Sequence, residues 1–469
     1  MTVSLPCTAV ILAAGKGTRM RSETPKVLHT ICGKPMLHCA IEAASAVAQT
    51  VVVVLGHKRE EISDSLPSGV LTAVQDPPRG TGDALRVTTD KVPDSGVVLV
   101  LPGDAPLIEA GTLQRLREGH GDALCSVLTA HIPMEEAATS GYGRIVRDSL
   151  GQTVAIVEAA NASETQKQIT EVNTGIYAFD AHWLYTEVLP ALKPQPPKEE
   201  YYLTDAIELA AKAGRLRAIV HDDLIEVTGV NDLAALAGLE AEARKRINQD
   251  WMNQGVRFID PEKTYVDSDV TLAPDVLLEP GVLLRGPTRI AAGVRIGAGS
   301  HLTNCIVAEN AVIHPYTVAE EAQIGPGCSA GPFARLREGT VLEQDAKIGN
   351  FVETKKTRLG AGAKANHLSY LGDADVGASA NIGAGTITCN YDGARKHRTT
   401  IGKEAFIGSN TALVAPIDIG DGALVGAGST LRESVPAQAL GLARAKETII
   451  EGAGAKIRAR NKAAKESEK

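Results

Sequence analysis

The chain has 469 residues, which is too many for one hydrophobic core, so two or more domains are expected. Its net charge of −8 and isoelectric point near 5.8 argue against a nucleic-acid-binding protein. No apolar run is long enough to cross a membrane, and no secretory signal is recognisable. Seven cysteines without a C-x-x-C pair favour reduced thiols over disulfides or zinc. We therefore expect a soluble cytoplasmic protein that neither inserts into a membrane nor binds nucleic acid.

The front part of the chain, residues 1–231, alternates apolar runs with helical segments. The predicted strands are Ala9–Ala13, Thr50–Leu55, Leu71–Val74, Val97–Leu101, Leu124–Thr129 and Ile176–Phe179. The predicted helices are Pro35–Ala48, Gly111–Glu118, His182–Leu192 and Thr204–Ala213. Such alternation predicts a largely parallel α/β sheet with helices on both faces and ligands at the carboxyl ends of the strands.

A proline-free segment rich in Ala, Leu, Glu and Arg follows, with capping residues before it and Gly255 after it. It predicts a linker helix over residues 232–254. The chain after residue 440 is interpreted as a C-terminal arm and tail (441–469), and its lysines and arginines favour a solvated, partly frayed end.

Between these segments, in residues 255–440, a bulky aliphatic residue recurs every sixth position, often followed by glycine. The positions are Val270, Val276, Val282, Ile290, Ile296, Leu302, Ile306, Val312, Val318, Ile324, Ala330, Leu336, Leu342, Ile348, Val376, Ile382, Ile401, Ile407, Leu413, Ile419, Val425 and Leu431. A period of six predicts a coil of short strands in which one side chain per hexad points inward. The period alone leaves open whether this coil is catalytic or only a spacer or assembly rod.

The front domain carries a glycine-rich turn after its first strand, Leu12 to Met20, followed by Pro25-Lys26. Its spacing is not that of a Walker A loop, but small residues at a strand's end let backbone N–H groups surround phosphate oxygens. Arg19 and Lys26 add positive charge. Asp104 follows another strand, where a carboxylate could hold Mg²⁺. Gln75, Gly80 and Thr81 offer an amide and open backbone to a flat base.

The back domain breaks its rhythm twice, at Asn366 to Tyr370 and at Thr388 to Thr400, and the second break predicts a loop that leaves the coil. The first contains His367. A histidine, with an unperturbed pKa near ~6.5, is suited to act as a general base around neutral pH. Cys389 raises a rival possibility, nucleophilic catalysis by its thiol, although nothing in the sequence marks that thiol as activated.

The motif Leu-Ala-Ala-Gly-x-Gly-Thr-Arg-Met with a following Pro-Lys resembles the signature of sugar-phosphate nucleotidylyltransferases. The hexads resemble the left-handed parallel β-helix of hexapeptide acyltransferases. Together they resemble the bacterial bifunctional N-acetylglucosamine-1-phosphate uridyltransferase and glucosamine-1-phosphate N-acetyltransferase family. The implied fold is a Rossmann-like nucleotidyltransferase domain followed by a left-handed β-helix. The implied product, UDP-N-acetylglucosamine, serves peptidoglycan and lipopolysaccharide synthesis.

The resemblance assigns the residues of a uridyltransferase site. UTP phosphates would be held by Leu12, Ala13, Ala14, Gly15 and Lys26, with Arg19 beside them. Gln75, Gly80 and Thr81 would face uracil, and Pro102 and Gly103 would line the site. Gly143, Glu158 and Asn173 would contact N-acetylglucosamine 1-phosphate, and Asp104 and Asn231 would ligate Mg²⁺. The chain departs from the family at Asp76 to Arg79, at Pro102, and at Asp83, where histidine is usual.

The resemblance also assigns an acetyltransferase site, with His367 as the general base. Arg337, Lys355, Tyr370 and Asn381 would bind glucosamine 1-phosphate, together with Asn390. Acetyl-CoA would lie along Ala384, Asn390, Tyr391, Lys396, Ser409, Ala427 and Arg444. In this family three coils pack side by side and share the acetyl sites, so a homotrimer is expected.

Two alternatives remain at this point. One is a nucleotidyltransferase whose coil only assembles or regulates it. The other is an inactive subunit in which both halves are scaffold. A purely structural coil has no need for His367, the Asn390-Tyr391 loop, Lys396 and Arg444 together, and an inactive front domain need not retain Lys26, Asp104 and Asn231.

Overall fold

A computed structural model describes residues 6–194 and 199–467. The chain divides into two compact units, Met1–Gln249 with Val266–Asp269, and Asp250–Tyr265 with Val270–Lys469. Each is described by itself. The finer boundaries expected from the sequence, at residues 231, 254 and 440, remain a proposal. No helix within the described residues has the length and apolar character needed to cross a membrane.

The first unit is built on one mixed sheet. Its strands, with a short hairpin formed by β2 and β3, are β1 (Cys7–Ala13), β2 (Thr30–Ile31), β3 (Lys34–Pro35), β4 (Thr50–Leu55), β5 (Leu71–Val74), β6 (Val97–Pro102), β7 (Cys125–His131), β8 (Arg144–Arg147), β9 (Thr153–Val157), β10 (Glu171–Asp180) and β11 (Leu216–His221). The sheet order is β11-β7-β10-β6-β1-β4-β5, with β8 and β9 added at β10. The pairs β1–β4, β1–β6, β4–β5 and β11–β7 are parallel, whereas β10 runs antiparallel to β6 and β7.

The helices of this unit are α1 (Met36–Ser45), α2 (Arg59–Ser65), α3 (Thr81–Arg86), α4 (Ala110–His120), α5 (Met134–Ala137), α6 (Glu164–Lys167), α7 (Ala181–Trp183), α8 (Leu189–Ala191) and α9 (Thr204–Lys212). A π-helical turn, Leu184–Val188, joins α7 to α8, and single 3₁₀ turns lie at Thr18–Met20, Lys26–Leu28 and Ala159–Asn161. A long helix, α10 (Leu233–Asn253), follows the unit's last strand.

Two apolar layers enclose the sheet, because successive residues of a strand point to opposite faces. Ile11 of β1 packs with Leu37 of α1 and Leu113 of α4 on one face. Val10, its neighbour, packs with Leu85 of α3 and other residues on the opposite face. These layers hold the β1 and β6 ends rigidly, and the candidate site is built on those ends.

The predicted strand Ile176–Phe179 proves to be the second half of a longer strand, β10. Its first half was missed because Asn173, Thr174 and Gly175 interrupt the apolar run, and the register shifts there between Asn173 and Tyr177. At the bulge the Asn173 side chain folds back on its own strand, where its Oδ1 accepts the N–H of Gly175 over 3.0 Å. The strands β8, β9 and β11 and the helices α2 and α3 were also not predicted.

The second unit is a prism of three parallel sheets. The first consists of Arg257–Phe258, Leu277–Leu278, Arg295–Ile296, Val312–Ile313, Ser329–Ala330, Lys347–Asn350, Lys364–His367, Asn381–Ile382, Phe406–Ile407, Leu424–Val425 and Leu440–Gly441. The second consists of Tyr265–Val266, Leu283–Arg285, His301–Thr303, Val318–Glu320, Arg335–Leu336, Glu353–Lys355, Tyr370–Gly372, Ile387–Cys389, Ala412–Val414 and Thr430–Leu431. The third consists of Thr271–Leu272, Arg289–Ile290, Ile306–Val307, Gln323–Ile324, Val341–Leu342, Arg358–Leu359, Ala374–Val376, Thr399–Ile401 and Ile417–Ile419.

Consecutive strands of the prism belong to different sheets, so the chain climbs as a parallel β-helix, and the predicted fold class is confirmed. A 3₁₀ turn, Pro261–Lys263, lies at its start, and a helix, α11 (Ala453–Ser467), follows its end. The sequence predicted a frayed tail there; the structure has a helix with no buried residue, which is consistent with a solvated segment.

The hexad register is wrong at three positions. Ile306 and Val318 are 49% and 44% exposed, and Val312 is only half-buried, whereas the next residues, Val307, Ile313 and Ala319, are buried. The reason is that one coil is shorter than the others before it. Fewer residues separate Arg289 from its strand partner Ile306 than separate Thr271 from its strand partner Arg289. At each slipped position the predicted residue and its neighbour are both apolar, so the sequence offered no contrast to reveal the slip.

Candidate active sites

The glycine-rich turn lies directly after β1, and close packing explains one of its glycines, Gly17. Gly17 has a φ of +58°, and a Cβ there would lie 2.6 Å from Cβ of Lys26. Gly56, at the end of β4, approaches the carbonyl oxygen of Ala14, which a Cβ would meet at 2.6 Å. Backbone can pass this closely only without side chains. The packing therefore sets the turn and Lys26 against each other beside the end of β1.

Four predicted residues meet at this edge of the sheet. Lys26 Nζ donates to Asp104, and the two side chains are only 16% and 18% exposed. Arg19 donates to Oδ1 of Asn231 over 2.7 Å. The N–H of Val230 donates to the carbonyl of Asp104 over 2.9 Å, which joins the two pairs. The result is two cationic side chains and two side-chain oxygen atoms at the ends of β1 and β6.

These two oxygen atoms, from Asp104 and Asn231, are suitable ligands for a magnesium ion. Carboxylate and amide oxygens are hard ligands, and Mg²⁺ usually takes only one or two of them from the protein, with phosphates and water completing the octahedron. Within the described residues no group of three or more His, Cys, Asp or Glu side chains could hold a metal ion. Asp104 and Asn231 would supply two of the oxygen ligands, the number that Mg²⁺ commonly takes from a protein when phosphates and water complete its shell.

The residues predicted to face a base surround the end of β5. Gln75 is 3% exposed and lines a cavity of about 600 Å³ with Lys16, His57, Arg59, Pro77 and Pro78. Its Nε2 donates to the carbonyl of Gly80 (2.9 Å) and to Asp83 Oδ2 (3.0 Å). Thr81 is less available than expected, because its hydroxyl accepts the N–H of Leu203 (3.0 Å).

The residues predicted for the sugar also come together. The N–H of Asn173 donates to the carbonyl of Gly143 over 2.9 Å, and a Cβ at Gly143 would lie 3.6 Å from Oε2 of Glu158. Asn173 Nδ2 donates to the hydroxyl of Tyr177 over 2.8 Å. Burial raises the pKa of the Glu158 carboxyl. Glu158 lines a cavity of about 650 Å³ together with Gly141, Tyr202, Thr204 and other residues, which is ample room for a sugar ring.

In the β-helix, His367 lies on the outer edge of the first sheet. Its Nδ1 is 2.7 Å from Oδ1 of Asn350, the residue directly below it in the preceding coil. An amide oxygen only accepts, so this contact favours the tautomer of the neutral ring in which Nδ1 carries the proton and Nε2 the lone pair. The sequence reasoning missed Asn350. Its spacing from His367, which is the length of one shortened coil, was the signal that could have found it.

Four predicted residues form a straight column above Asn350. The register pairs Ala365 with Ile382, Ile382 with Ile407, and Ile407 with Val425. Two residues after each, at equivalent places in successive coils, come His367, Ala384, Ser409 and Ala427. Arg444 closes the column, since its Nη1 donates to the carbonyl of Ala427 over 3.1 Å. The residues expected for acetyl-CoA thus run in line from the histidine.

A second column lies at the carboxyl ends of the strands of the second sheet. It contains Arg337, Lys355, Gly372 and Cys389. Arg337 Nη1 lies 3.0 Å from Oε1 of Glu353, and Lys355 Nζ lies 2.9 Å from Oε1 of Glu338. These carboxylates, which the sequence analysis did not single out, hold both cations in place. Within the described part of the chain no hydrogen bond joins this column to His367.

Tyr370 and Asn390 meet over Gly372. A Cβ at Gly372 would lie 2.4 Å from the Tyr370 hydroxyl and 2.7 Å from Asn390 Nδ2, so only glycine fits. Asn390 Nδ2 also donates to Oδ2 of Asp373 over 2.6 Å, which fixes the amide. Asn381, by contrast, lies on the first sheet, beside Phe406.

The loop predicted to leave the coil does so between the strands Ile387–Cys389 and Thr399–Ile401. Asp375 pairs with Thr400. Clearly more residues separate these two strand partners than separate Thr271 from its partner Arg289. Asp392 organises the loop: its carboxylate accepts the N–H groups of Arg395 and Ala394 and lies 2.7 Å from His397 Nε2. The Arg395 N–H first, and then His397, hold the pKa of Asp392 well below its usual range. Lys396 Nζ lies 4.6 Å from the centroid of the Tyr391 ring.

Comparison with known proteins gives two family models. A MobA-like NTP transferase domain matches residues 9–173, and a hexapeptide repeat of succinyl-transferase matches residues 398–433. Each lies in the unit where the corresponding motifs were found.

Curated relatives match nearly the whole chain. A bifunctional protein GlmU of Sorangium cellulosum is 46% identical over 98% of this chain and 98% of its own length. The bifunctional protein GlmU of Thermotoga maritima is 44% identical over 95% and 98%, and that of Carboxydothermus hydrogenoformans is 46% identical over 93% and 98%. The matches run through both units of the chain.

Proposed function

Because this chain belongs to the family of bifunctional GlmU proteins, we propose that it makes UDP-N-acetylglucosamine in two reactions. The β-helix transfers the acetyl group of acetyl-CoA to glucosamine 1-phosphate. The front unit then transfers uridylyl from UTP to N-acetylglucosamine 1-phosphate and releases pyrophosphate. The observation that carries the proposal is that both units bring their own candidate site together, at the β1 and β6 ends and along the His367 column.

For uridylyl transfer, the sugar 1-phosphate oxygen attacks the α-phosphorus of UTP in line with the departing pyrophosphate. Both reactants are anions, so the enzyme's main tasks are to neutralise charge and to align them. Lys26 and Arg19 supply two fixed positive charges beside the glycine-rich turn. Leu12 to Gly15 offer backbone N–H groups, and Gln75 and Gly80 hold the base. Gly143, Glu158 and Asn173 hold the sugar, while Pro102 and Gly103 line the floor.

Magnesium belongs to this proposal as the cofactor of uridylyl transfer. Asp104 and Asn231 would hold it, and the ion would neutralise the phosphate charge that develops on the leaving group. Their oxygens pair with two cationic side chains, Lys26 and Arg19. This pairing supports the proposal that cations balance the phosphate charge at this site.

For acetyl transfer, the amine of glucosamine 1-phosphate must lose a proton to attack the thioester; the new C–N bond replaces the C–S bond, and coenzyme A leaves as a thiolate that takes up a proton. His367 Nε2 is the base that takes the proton of the amine, while the Asn350 oxygen keeps the proton on Nδ1. Arg337 and Lys355 bind the sugar phosphate, and Tyr370, Asn381 and Asn390 orient the sugar. Acetyl-CoA lies along Ala384, Ser409 and Ala427, with Tyr391, Lys396 and Arg444 at its sides.

A homotrimer is part of the proposal, because no hydrogen bond among the described residues of one chain joins the Arg337 column to His367. An exposed apolar ladder supports contact between β-helices. Tyr316 and Phe333 stack with ring centroids 5.2 Å apart, and Phe333 and Phe351 stack at 5.4 Å. These corner residues, with Leu368 beside His367, are 48% to 62% exposed. We also propose a cytoplasmic location, which suits seven cysteines that are all free thiols.

One coupled assay tests the function. The chain is supplied with glucosamine 1-phosphate, acetyl-CoA, UTP and Mg²⁺, and each is then omitted in turn. We expect UDP-N-acetylglucosamine only with all four, and N-acetylglucosamine 1-phosphate when UTP or Mg²⁺ is missing. A UDP-sugar formed at the full rate without acetyl-CoA would favour a single-activity nucleotidyltransferase with a structural β-helix.

A further inference from the structure

The amide of Gln75 is held in one orientation by its neighbours. Its Nε2 donates to two groups, the Gly80 carbonyl at 2.9 Å and Asp83 Oδ2 at 3.0 Å. A carbonyl and an ionised carboxylate can only accept hydrogen bonds. A flipped amide would place its oxygen against two acceptor oxygens, which repel it. The NH₂ group of Gln75 therefore stays directed at Gly80 and Asp83. Among the described residues, Oε1 of Gln75 makes no hydrogen bond and is the end left for a ligand.

Asp83 is the decisive partner because Gly80 offers only backbone, which every residue at that position would provide. The carboxylate adds a charge-assisted hydrogen bond, about twice as strong as a neutral one. Asp83 lies in the first turn of α3, the helix that begins at Thr81. It also stands where the resembling family has histidine, whose ring can either donate or accept.

An acceptor fixed at this place discriminates between pyrimidines. Uracil carries an N3–H donor at the middle of its pairing edge. Cytosine has a bare N3 lone pair there, which would face the lone pairs of Oε1. A site built to receive a hydrogen bond rejects an analogue that lacks the donor, because the protein's polar group is then left unpaired.

We propose that Asp83 is a positioning residue for base selectivity, which orients Gln75 so that the nucleotide site accepts uracil and excludes cytosine. This inference rests on the proposed uridylyl transfer and on Gln75 facing the base. Asp83 does not touch the nucleotide, and it acts only through the Gln75 amide. Thymine has the same N3–H as uracil, so the same orientation does not exclude a 5-methyl group.

The test compares Asp83→Asn with the unaltered chain, using UTP, 5-methyl-UTP and CTP as alternative substrates with N-acetylglucosamine 1-phosphate. An asparagine can present either end of its amide, so Gln75 gains freedom to turn. We expect the ratio of kcat/KM for UTP over CTP to fall roughly tenfold, the worth of one hydrogen bond. 5-Methyl-UTP should change in parallel with UTP, because the two share one pairing edge.

Asp90→Asn is the matched control. It removes the same charge shortly after α3, from an exposed carboxylate that pairs with Lys91, and it should leave the ratio unchanged. Asp83→Ser is measured alongside, and thermal unfolding of the full chain identifies any variant that fails to fold. An unchanged ratio in both Asp83 variants, or equal losses with all three nucleotides, would overturn the inference. Absence of uridylyl transfer in the unaltered chain would instead reject the proposed function.

Discussion

At the scale of single residues, Lys26 lies where the glycine-rich turn meets Asp104, and its ammonium is one of two cations at the proposed triphosphate site. Lys26→Ala should lower kcat for uridylyl transfer roughly hundredfold, the usual effect of removing one preorganised charge donor. Acetyl transfer by the same chain should not change. Both rates are measured on one preparation, so equal loss of the two activities would indicate misfolding instead.

Asn350 is a positioning residue for His367. Replacing Asn350 with alanine removes the acceptor that fixes the ring and its tautomer. We expect kcat for acetyl transfer to fall roughly tenfold, with little change in the KM for acetyl-CoA. Asn350→Asp keeps an acceptor at the same place and should retain more activity than alanine. A large rise in KM without loss of kcat would assign Asn350 to binding.

Cys389 lies in the column of Arg337 and Lys355, which keeps a covalent thioester mechanism open to test. Direct transfer from acetyl-CoA is the simpler reaction, since the base proposed here, His367, makes a covalent intermediate unnecessary. Cys389→Ala should therefore keep most acetyl transfer in reducing buffer. Near-total loss in a folded variant, together with an acetylated cysteine detected by mass spectrometry of the unaltered chain, would establish the thioester route.

At the scale of elements, the register slip exposes one isoleucine and buries another on two strands that are consecutive along the chain. Ile313 is 1% exposed inside the prism, and Ile306 is 49% exposed outside it. Ile313→Ala should lower the free energy of unfolding by about 2–5 kcal/mol, from lost burial and the cavity left behind. The same change at Ile306 should cost less than about 1 kcal/mol. Denaturant unfolding of both variants decides, and the original hexad phase would predict the reverse order.

At the scale of the whole molecule, the ladder of Tyr316, Phe333 and Phe351 is an apolar surface that is costly to leave in contact with water. Phe333→Asp introduces a charge in its middle. If β-helices form the proposed trimer through this ladder, light scattering after size exclusion should show a trimer for the unaltered chain and monomers for Phe333→Asp, with acetyl transfer lost and uridylyl transfer kept. Thr271→Asp, an exposed substitution on the third sheet, serves as the control. A trimer that survives Phe333→Asp would move the interface elsewhere.

Much of the architecture could be predicted because its signals are local. The continuous apolar run Val97–Leu101 predicts a buried strand, and the hexads from Val270 onward set a period of six that follows from the geometry of a coil of short strands. The family motifs likewise indicated Lys26, Asp104 and His367. The sequence did not show whether Ile306 or Val307 points inward, or which carboxylate pairs with Lys355.

The sequence by itself therefore determined the two classes of domain and the family, and it predicted the residues that we propose for phosphate, sugar and proton transfer. Only the tertiary structure decided that Asn350 lies below His367, that His367, Ala384, Ser409 and Ala427 form one column, and that Asp83 holds Gln75. The physical reason is distance along the chain. A motif is read from neighbours in sequence, whereas these contacts depend on how much chain each coil or loop uses before the backbone returns to the same place.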